Sequence, residues 1–307
     1  MAAYELAIQN FAVAEHLLQL YELFRGLREK QPAEDLRLAV CRELACPENT
    51  GVRESLNSHL VLLSKTVAPL PQALLLPDGL SFLLRNAVIV ACTAVESFFW
   101  DSLRENVLTI VRARRRGADE ELRKLTLTLD DYLSIEGYAD PNERLKQIIL
   151  KNFERRTLYD AESVGKIAAI MTVRDFWNVV AHRCGRNATD VRRELDELIN
   201  RRNQIAHRAD RPNPEVNPPE ETDQNGQRAI HGAWVTTRIA NAKGLVNAAN
   251  DCFRETLARL EEQLDRDREQ ELARQTLQPA AAVPAPTPPP AAAPAAPALQ
   301  PPADQPS

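Results

Sequence analysis

A group of polar residues at the end of a strongly helical segment is the part of the sequence best suited to chemistry. Asn203 precedes His207 by four residues, so a helix places both side chains on one face. Arg202 lies about 140° further round the helix, but its long side chain can reach across that arc. Arginine binds phosphate oxygens through a planar fork of donors, and histidine transfers protons near neutral pH. The three residues therefore predict a site that acts on a phosphodiester.

The spacing alone does not establish this chemistry, because short motifs also arise by chance. Each residue has a structural explanation too. A cationic His207 would interact favourably with the carboxyl end of a helix. Arg202 would pair with Asp196 or Asp210 at the surface, and Asn203 would be a polar surface residue despite its mediocre helix propensity.

Three stretches of the chain resemble the HEPN superfamily of all-helical nucleotide- and RNA-binding domains, most closely its RiboL-PSP-HEPN branch. The stretches are residues 82–100, 175–185 and 191–207. The functional motif of this superfamily is an arginine, four to six residues and a histidine, commonly with asparagine after the arginine. Arg202, Asn203 and His207 match that form, and Arg201 also fits with five intervening residues. The resemblance covers residues from about 80 to 265.

The resemblance implies roles for these residues in metal-independent RNA cleavage. His207 would transfer a proton, Arg202 would stabilise the charge of the phosphorane, and Asn203 would orient either partner. The ribose 2′-hydroxyl would be the nucleophile. One histidine does not easily serve both sides of an in-line displacement, so we expect a homodimer with the site at its interface.

Glu96 interrupts an apolar run and has two interpretations. A buried carboxylate without a partner is costly, so Glu96 either pairs with an arginine of the motif helix and orients it or lies at the solvent edge. A departure from the superfamily stands at Ala209, where HEPN toxins that pair with nucleotidyltransferase antitoxins usually carry a tyrosine. This puts regulation by nucleotide modification at that position in doubt.

The pattern of apolar residues predicts an all-α fold. The resemblance implies that it is a helical bundle of the HEPN type. Helices are predicted at about 3–30, up to Ala45, 50–67, 80–116, 141–157, 162–184, 189–208 and 231–276. The stretch 125–129 alternates but has no partner strand, so it is interpreted as an irregular connection. The loop 209–230 is rich in proline and is expected to be exposed and mobile.

Composition divides the chain into three parts. Pro77 and Gly79 close a proline-rich loop, which predicts an N-terminal helical extension at 1–76 and a HEPN-like helical domain at 77–276. Residues 277–307 are almost entirely proline and alanine and are predicted to be a disordered tail. A spacer is the simplest role for this tail, and a ligand for a proline-recognition domain is the alternative.

Local charge favours an anionic partner although the chain as a whole is acidic. The net charge of −5 argues against a globally basic nucleic-acid-binding protein. From 183 to 211, however, eight arginines stand against five carboxylates, and Arg193 and Arg208 are candidate RNA-binding residues. The second basic run, 112–116, either interacts with a helix dipole or grips phosphate.

The remaining features predict a cytoplasmic protein. Its five cysteines have no paired spacing and indicate buried free thiols, with neither a metal site nor a cofactor. The N-terminus lacks the pattern of a signal peptide, and no uninterrupted apolar run is long enough for a membrane span.

Two function classes besides the nuclease stay open. One is a non-catalytic HEPN module that binds RNA, nucleotide or a partner protein, and the other is a purely structural bundle. A nuclease that acts in defence, as a toxin or in a stress response could also be regulated by an inhibitory partner protein. Cleavage of RNA in EDTA separates the nuclease from both alternatives.

Overall fold

The computed structural model describes residues 2–24, 29–30, 33–55, 61–64, 78–114, 120–154, 160–216 and 218–277. The fold is all-α, as predicted. The helices are α1 (Ala2–Phe24), α2 (Glu34–Glu43), α3 (Ser81–Arg114), α4 (Glu120–Arg123), α5 (Leu129–Glu136), α6 (Pro141–Glu154), α7 (Ala161–Ile170), α8 (Phe176–Arg183), α9 (Ala188–Arg208) and α10 (Gly232–Leu277).

Helix α3 forms the centre of the core, and α1 lies along it. The buried face of α1 carries Ala7, Phe11, Ala14 and Leu18 at the three- and four-residue spacing of a helix. Among the described residues, α3 is the helix that is long and apolar enough to cross a membrane. However, 56% of its most apolar 18-residue segment is buried inside the protein. It also carries the buried Arg85, so the core accounts for its apolar surface.

Aromatic packing joins α3 to α8 and α10. The rings of Phe98 and Phe253 stack with centroids 5.8 Å apart. Phe176 meets Phe99 edge to face at 6.0 Å. Such contacts add about 0.5–1.5 kcal/mol per pair beyond the burial of their area. They hold the two helices that flank the motif helix against the centre of the bundle.

The predicted helix over 50–67 is wrong. Gly51–Ser55 (β2) pairs antiparallel with Val61–Ser64 (β3), with Gly51 opposite Ser64. Glu29–Lys30 (β1) pairs with the other edge of β2. Periodicity alone does not separate a short apolar strand from a helical turn, which is why the pattern misled.

The single helix predicted over 162–184 is in fact two helices. Thr172 and Asp175 adopt positive φ angles of 64° and 51° in the connection between α7 and α8. These left-handed residues break the hydrogen-bond ladder of the helix. The break separates α7 from α8.

Helix α9 carries the motif and begins where the sequence predicts. The Asn187 side chain caps it by accepting a hydrogen bond of 2.8 Å from the Thr189 backbone N–H. The buried face consists of Val191, Leu195, Leu198 and Ile199. The helix ends at Ala209, which is left-handed with φ 50°.

The chain divides into two units, with the boundary between Leu264 and Asp265. The first unit contains α1, so the described part of the predicted N-terminal extension shares one core with the helical domain. The predicted boundary at 76/77 lies outside the described residues. The predicted tail also lies outside them from residue 278 onward.

Candidate functional site

Arg202 points from α9 toward α3 and forms an ion pair with Glu96. The two side chains are 14% and 24% exposed, so the pair lies between the helices rather than at the open surface. This decides between the two interpretations of Glu96 in favour of pairing. Asp196, a candidate partner of Arg202, instead accepts a hydrogen bond of 2.6 Å from the Ala161 backbone N–H.

The thiol of Cys92, a residue of α3, lies beside the guanidinium of Arg202. Burial raises the pKa of Cys92 to about 12, and the neighbouring Arg202 only partly opposes that rise. The thiol therefore stays protonated near neutral pH and donates to the Leu198 carbonyl oxygen at 3.5 Å. Because the Cys92 thiol is neutral, the negative charge that fixes the position of Arg202 is the Glu96 carboxylate.

Asn203 and His207 lie one turn apart on the same helix but differ in exposure. Asn203 is half-buried, and its Oδ1 atom accepts no hydrogen bond from a residue that the structure describes. His207 is exposed in the last turn of α9. The structure thus places a clamped cation toward the core and an accessible imidazole toward solvent. It does not gather the three side chains at one point within a single chain.

Arg201 belongs to a buried ionic network that the sequence analysis did not predict. Its Nη2 atom donates to Asp210 Oδ2 at 2.8 Å, and Arg85 Nε donates to the same oxygen at 2.7 Å. Arg85 Nη2 also donates to Asp223 Oδ2 at 2.9 Å. Burial lowers the pKa of the Arg201 guanidinium, and the Asp210 carboxylate opposes that shift. Arg201 is therefore a structural cation in this chain.

The same network anchors the loop 209–230 at two points, although most of its described residues are exposed as expected. Asp210 is 0% exposed, and Asp223 is also buried. Burial alone would raise the pKa of Asp223, but hydrogen bonds from the Gln227 backbone and Arg85 bring it below its usual value. The loop is thus anchored to α3 and α9 through two carboxylates. Sequence periodicity contains no signal for these contacts because the partners are 125 and 138 residues apart.

A cavity of about 400 Å³ lies beside the motif helix. Gln204, one helical turn before His207, lines it together with Trp234 of α10. The Gln204 Oε1 atom and the Nε atoms of Arg201 and Arg228 are buried without a partner among the described residues. The lining is polar but nearly neutral, because Arg201 pairs with Asp210 and Arg228 pairs with Glu220. The full lining is Glu197, Asn200, Arg201, Gln204, Arg228, Ala229, Ile230, His231 and Trp234.

Most of the arginines counted in the basic stretch are neutralised by nearby carboxylates. Arg193 lies 2.8 Å from Asp190 and 3.7 Å from Glu197, so a phosphate would compete with two carboxylates for it. Arg208, in contrast, is exposed and forms no ion pair with a described residue. Of the two candidate RNA-binding residues, Arg208 is the one with a free charge.

Comparison with known proteins identifies one family. The family model of RiboL-PSP-HEPN matches residues 53–225, which is more than half of the 307-residue chain. The matched region runs from strand β2 through α9 and includes the motif and Glu96. Neither the curated proteins nor the solved structures contain a match.

Proposed function

The chain belongs to the RiboL-PSP-HEPN family, and from that premise we propose that it is a metal-independent endoribonuclease. The family indicates an RNase or a nucleotide-related module. The observation that supports the finer proposal is the arrangement at the end of α9. Glu96 holds Arg202 in place, while the imidazole of His207 is exposed about 1.4 turns further on.

The proposed reaction uses the ribose 2′-hydroxyl as its nucleophile. A base removes the proton of that hydroxyl, the 2′-oxygen bonds to phosphorus, and the bond from phosphorus to the 5′-oxygen breaks. An acid protonates the leaving 5′-oxygen, so the products are a 2′,3′-cyclic phosphate and a 5′-hydroxyl. His207 carries one of these protons, because its imidazole is exposed in the last turn of the motif helix.

Arg202 and Asn203 stabilise and orient the reacting phosphate in this proposal. The Glu96 carboxylate fixes the guanidinium before substrate arrives, which favours stabilisation of the developing charge. Glu96 is therefore a positioning residue. The Oδ1 atom of Asn203 is buried and has no partner among the described residues, so the Asn203 side chain would turn outward to orient an imidazole or a ribose hydroxyl. Arg208 supplies an additional exposed charge for the RNA backbone.

The active unit in this proposal is a homodimer. The two proton transfers occur on opposite sides of phosphorus, and each chain offers one exposed histidine in the motif. A two-fold axis beside α9 would bring a second His207 and a second Arg202 to the same phosphate. Only 14% of the Arg202 side chain is exposed, and its guanidinium is already paired with Glu96. One such arginine binds phosphate weakly by itself, which supports a site that uses two.

The cavity beside α9 suits a nucleobase of the RNA. Its volume of about 400 Å³ is in the range of small-molecule sites. Gln204 and Asn200 offer amide groups for the edge of a base, and Trp234 offers an aromatic surface. The near-neutral lining favours a base over a phosphate.

The test is cleavage of a labelled single-stranded RNA in EDTA, with His207→Ala compared with wild type. Loss of general acid–base help lowers the rate by about 10²–10⁴-fold. The matched control is His16→Ala, which removes an exposed histidine of α1 and should leave the rate unchanged. Cleavage that requires added magnesium, or that survives in His207→Ala, would refute the proposal. A 2′-deoxy substitution at the cleaved position should abolish the reaction.

The dimer is tested separately by mixing. Excess His207→Ala chain is incubated with wild type under conditions where subunits exchange. If each site uses both chains, activity falls below the value expected from dilution. Activity that follows the wild-type chain count alone contradicts the shared site, and His182, exposed in the last turn of α8, then becomes the second proton carrier to test.

A further inference from the structure

A second cavity, of about 460 Å³, lies away from the motif helix. It is bounded by the end of α3, the connection between α7 and α8, the end of α8 and the middle of α10. None of its lining residues belongs to α9. Whatever this cavity holds, it is therefore distinct from the proposed RNA-cleaving site.

The rim of the second cavity is strongly basic. Arg114, Arg174, Arg183 and Arg259 line it, against the single carboxylate of Glu255. Glu255 forms an ion pair with Arg183 at 2.8 Å. Arg174 is exposed and forms no ion pair with a described residue. A protein with a net charge of −5 thus concentrates an excess of three positive charges around one cavity.

Two polar atoms beside the second cavity lack a hydrogen-bond partner. Arg114 Nε and Thr172 Oγ1 are both buried and have no partner among the described residues. Buried polar groups are normally satisfied, so such atoms indicate a ligand or a solvent molecule. Thr172 also has a φ angle of 64°, which is costly for a β-branched residue. Strain of this kind concentrates at ligand-binding positions.

The floor of the second cavity is uncharged. Val173, Cys252, Thr256 and Leu260 are all buried there. Burial raises the pKa of the Cys252 thiol, so no thiolate offsets the arginines near neutral pH. An apolar floor under a ring of guanidinium groups suits a molecule with one anionic end and one uncharged body.

We propose that this cavity binds a small phosphate-bearing molecule of nucleotide size. Guanidinium groups match the oxygens of phosphate in forked pairs. The volume fits a small molecule, and the buried floor would not be reached by the backbone of a long RNA. The proposal also gives Arg114 of the basic run 112–116 a role, whereas Arg112 donates to Asn142 Oδ1 at 2.5 Å outside the cavity.

The experiment is isothermal titration of the full chain with pyrophosphate and, separately, with AMP at low ionic strength. We expect binding by wild type and a loss of about ten- to one-hundred-fold in Arg174→Ala and in Arg259→Ala. The matched control is Arg254→Ala, an exposed arginine of the same helix that does not line the cavity. This control should bind as wild type does. Arg174 and Arg259 are exposed, so we expect both variants to fold. A thermal midpoint close to that of wild type verifies this.

Three results would overturn the proposal. The first is the absence of binding to both probes in wild type. The second is binding that Arg254→Ala weakens as much as Arg174→Ala does, because that indicates a diffuse effect of net charge. The third is binding of RNA but of neither small probe, with a salt slope that falls in the variants, because that assigns the arginines to an RNA backbone. RNA cleavage by wild type is independent of all three, so this proposal and the ribonuclease proposal fail separately.

Discussion

Substitution of Asp210 by asparagine tests the buried ionic network that anchors the loop to the motif helix. The side chain is 0% exposed and lies within hydrogen-bond distance of Arg85 and Arg201. Asparagine keeps the size of the side chain and tolerates the φ angle of 56°, so the change removes charge without adding backbone strain. It leaves two buried guanidinium groups with Asp223 as the remaining carboxylate of the network.

Breaking a buried ion pair on one side costs about 3–5 kcal/mol. For domains of this size each kcal/mol lowers the thermal midpoint by roughly 2–4 °C, so the expected decrease is about 6–20 °C. The matched control is Asp265→Asn, whose carboxylate is 70% exposed and pairs with Arg268 at 3.1 Å. A surface pair contributes less than about 1 kcal/mol. Both free energies of unfolding are measured by urea denaturation, followed by circular dichroism.

The network is refuted if Asp210→Asn destabilises the protein no more than Asp265→Asn does. A double-mutant cycle gives a second check. Arg201→Gln combined with Asp210→Asn should cost less than the sum of the two single changes, because the pair is already broken in each. Strict additivity would mean that Arg201 and Asp210 do not interact in the folded protein.

Two further predictions concern packing and thiol chemistry. Gly232→Ala should destabilise the protein by about 1–3 kcal/mol, because the new Cβ atom would lie 2.9 Å from the Tyr21 ring. Gly244→Ala, in the same helix with open space around it, should instead stabilise the protein by about 0.5–1 kcal/mol, and equal effects in urea denaturation would contradict the packing of α1 on α10. At pH 8 an alkylating reagent should modify the half-buried Cys46 but not Cys92, whose pKa of about 12 leaves roughly one thiolate in ten thousand molecules. Mass spectrometry of the native protein checks this, and modification of Cys92 before unfolding would show that the α3–α9 contact opens.

The sequence was sufficient to predict the helices whose ends are set by local chemistry. Asn187 stands two residues before the helix predicted from residue 189, and it caps the motif helix. Asp140 stands directly before the helix predicted from residue 141, and it accepts hydrogen bonds from the backbone N–H groups of Asn142 and Glu143. These interactions join residues two or three positions apart, so they are visible in the sequence.

Features that depend on distant contacts could not be predicted in the same way. The strand pair Gly51–Ser55 and Val61–Ser64 is stabilised by hydrogen bonds between strands, which no helical period encodes. Glu96 had two interpretations because its burial depends on how α3 crosses α9. Asp210 was expected to pair with Arg202 at the surface, because an acidic residue after a helix ordinarily lies in solvent. It is instead buried and pairs with Arg201 and Arg85.

The Arg202–Glu96 pair links these observations to the proposed chemistry. A free arginine on α9 would bind phosphate strongly in the ground state, which does not lower the barrier. The ion pair with Glu96 weakens this binding of phosphate and also fixes the position of the guanidinium. Arg202 is therefore preorganised but only partly available to a phosphate. In the proposed mechanism a single chain would then bind phosphate weakly, and a second clamped arginine from the proposed partner chain would restore the charge needed at the phosphorane. On this reasoning Glu96→Gln should tighten RNA binding while it slows cleavage, whereas a merely structural Glu96 would weaken both together.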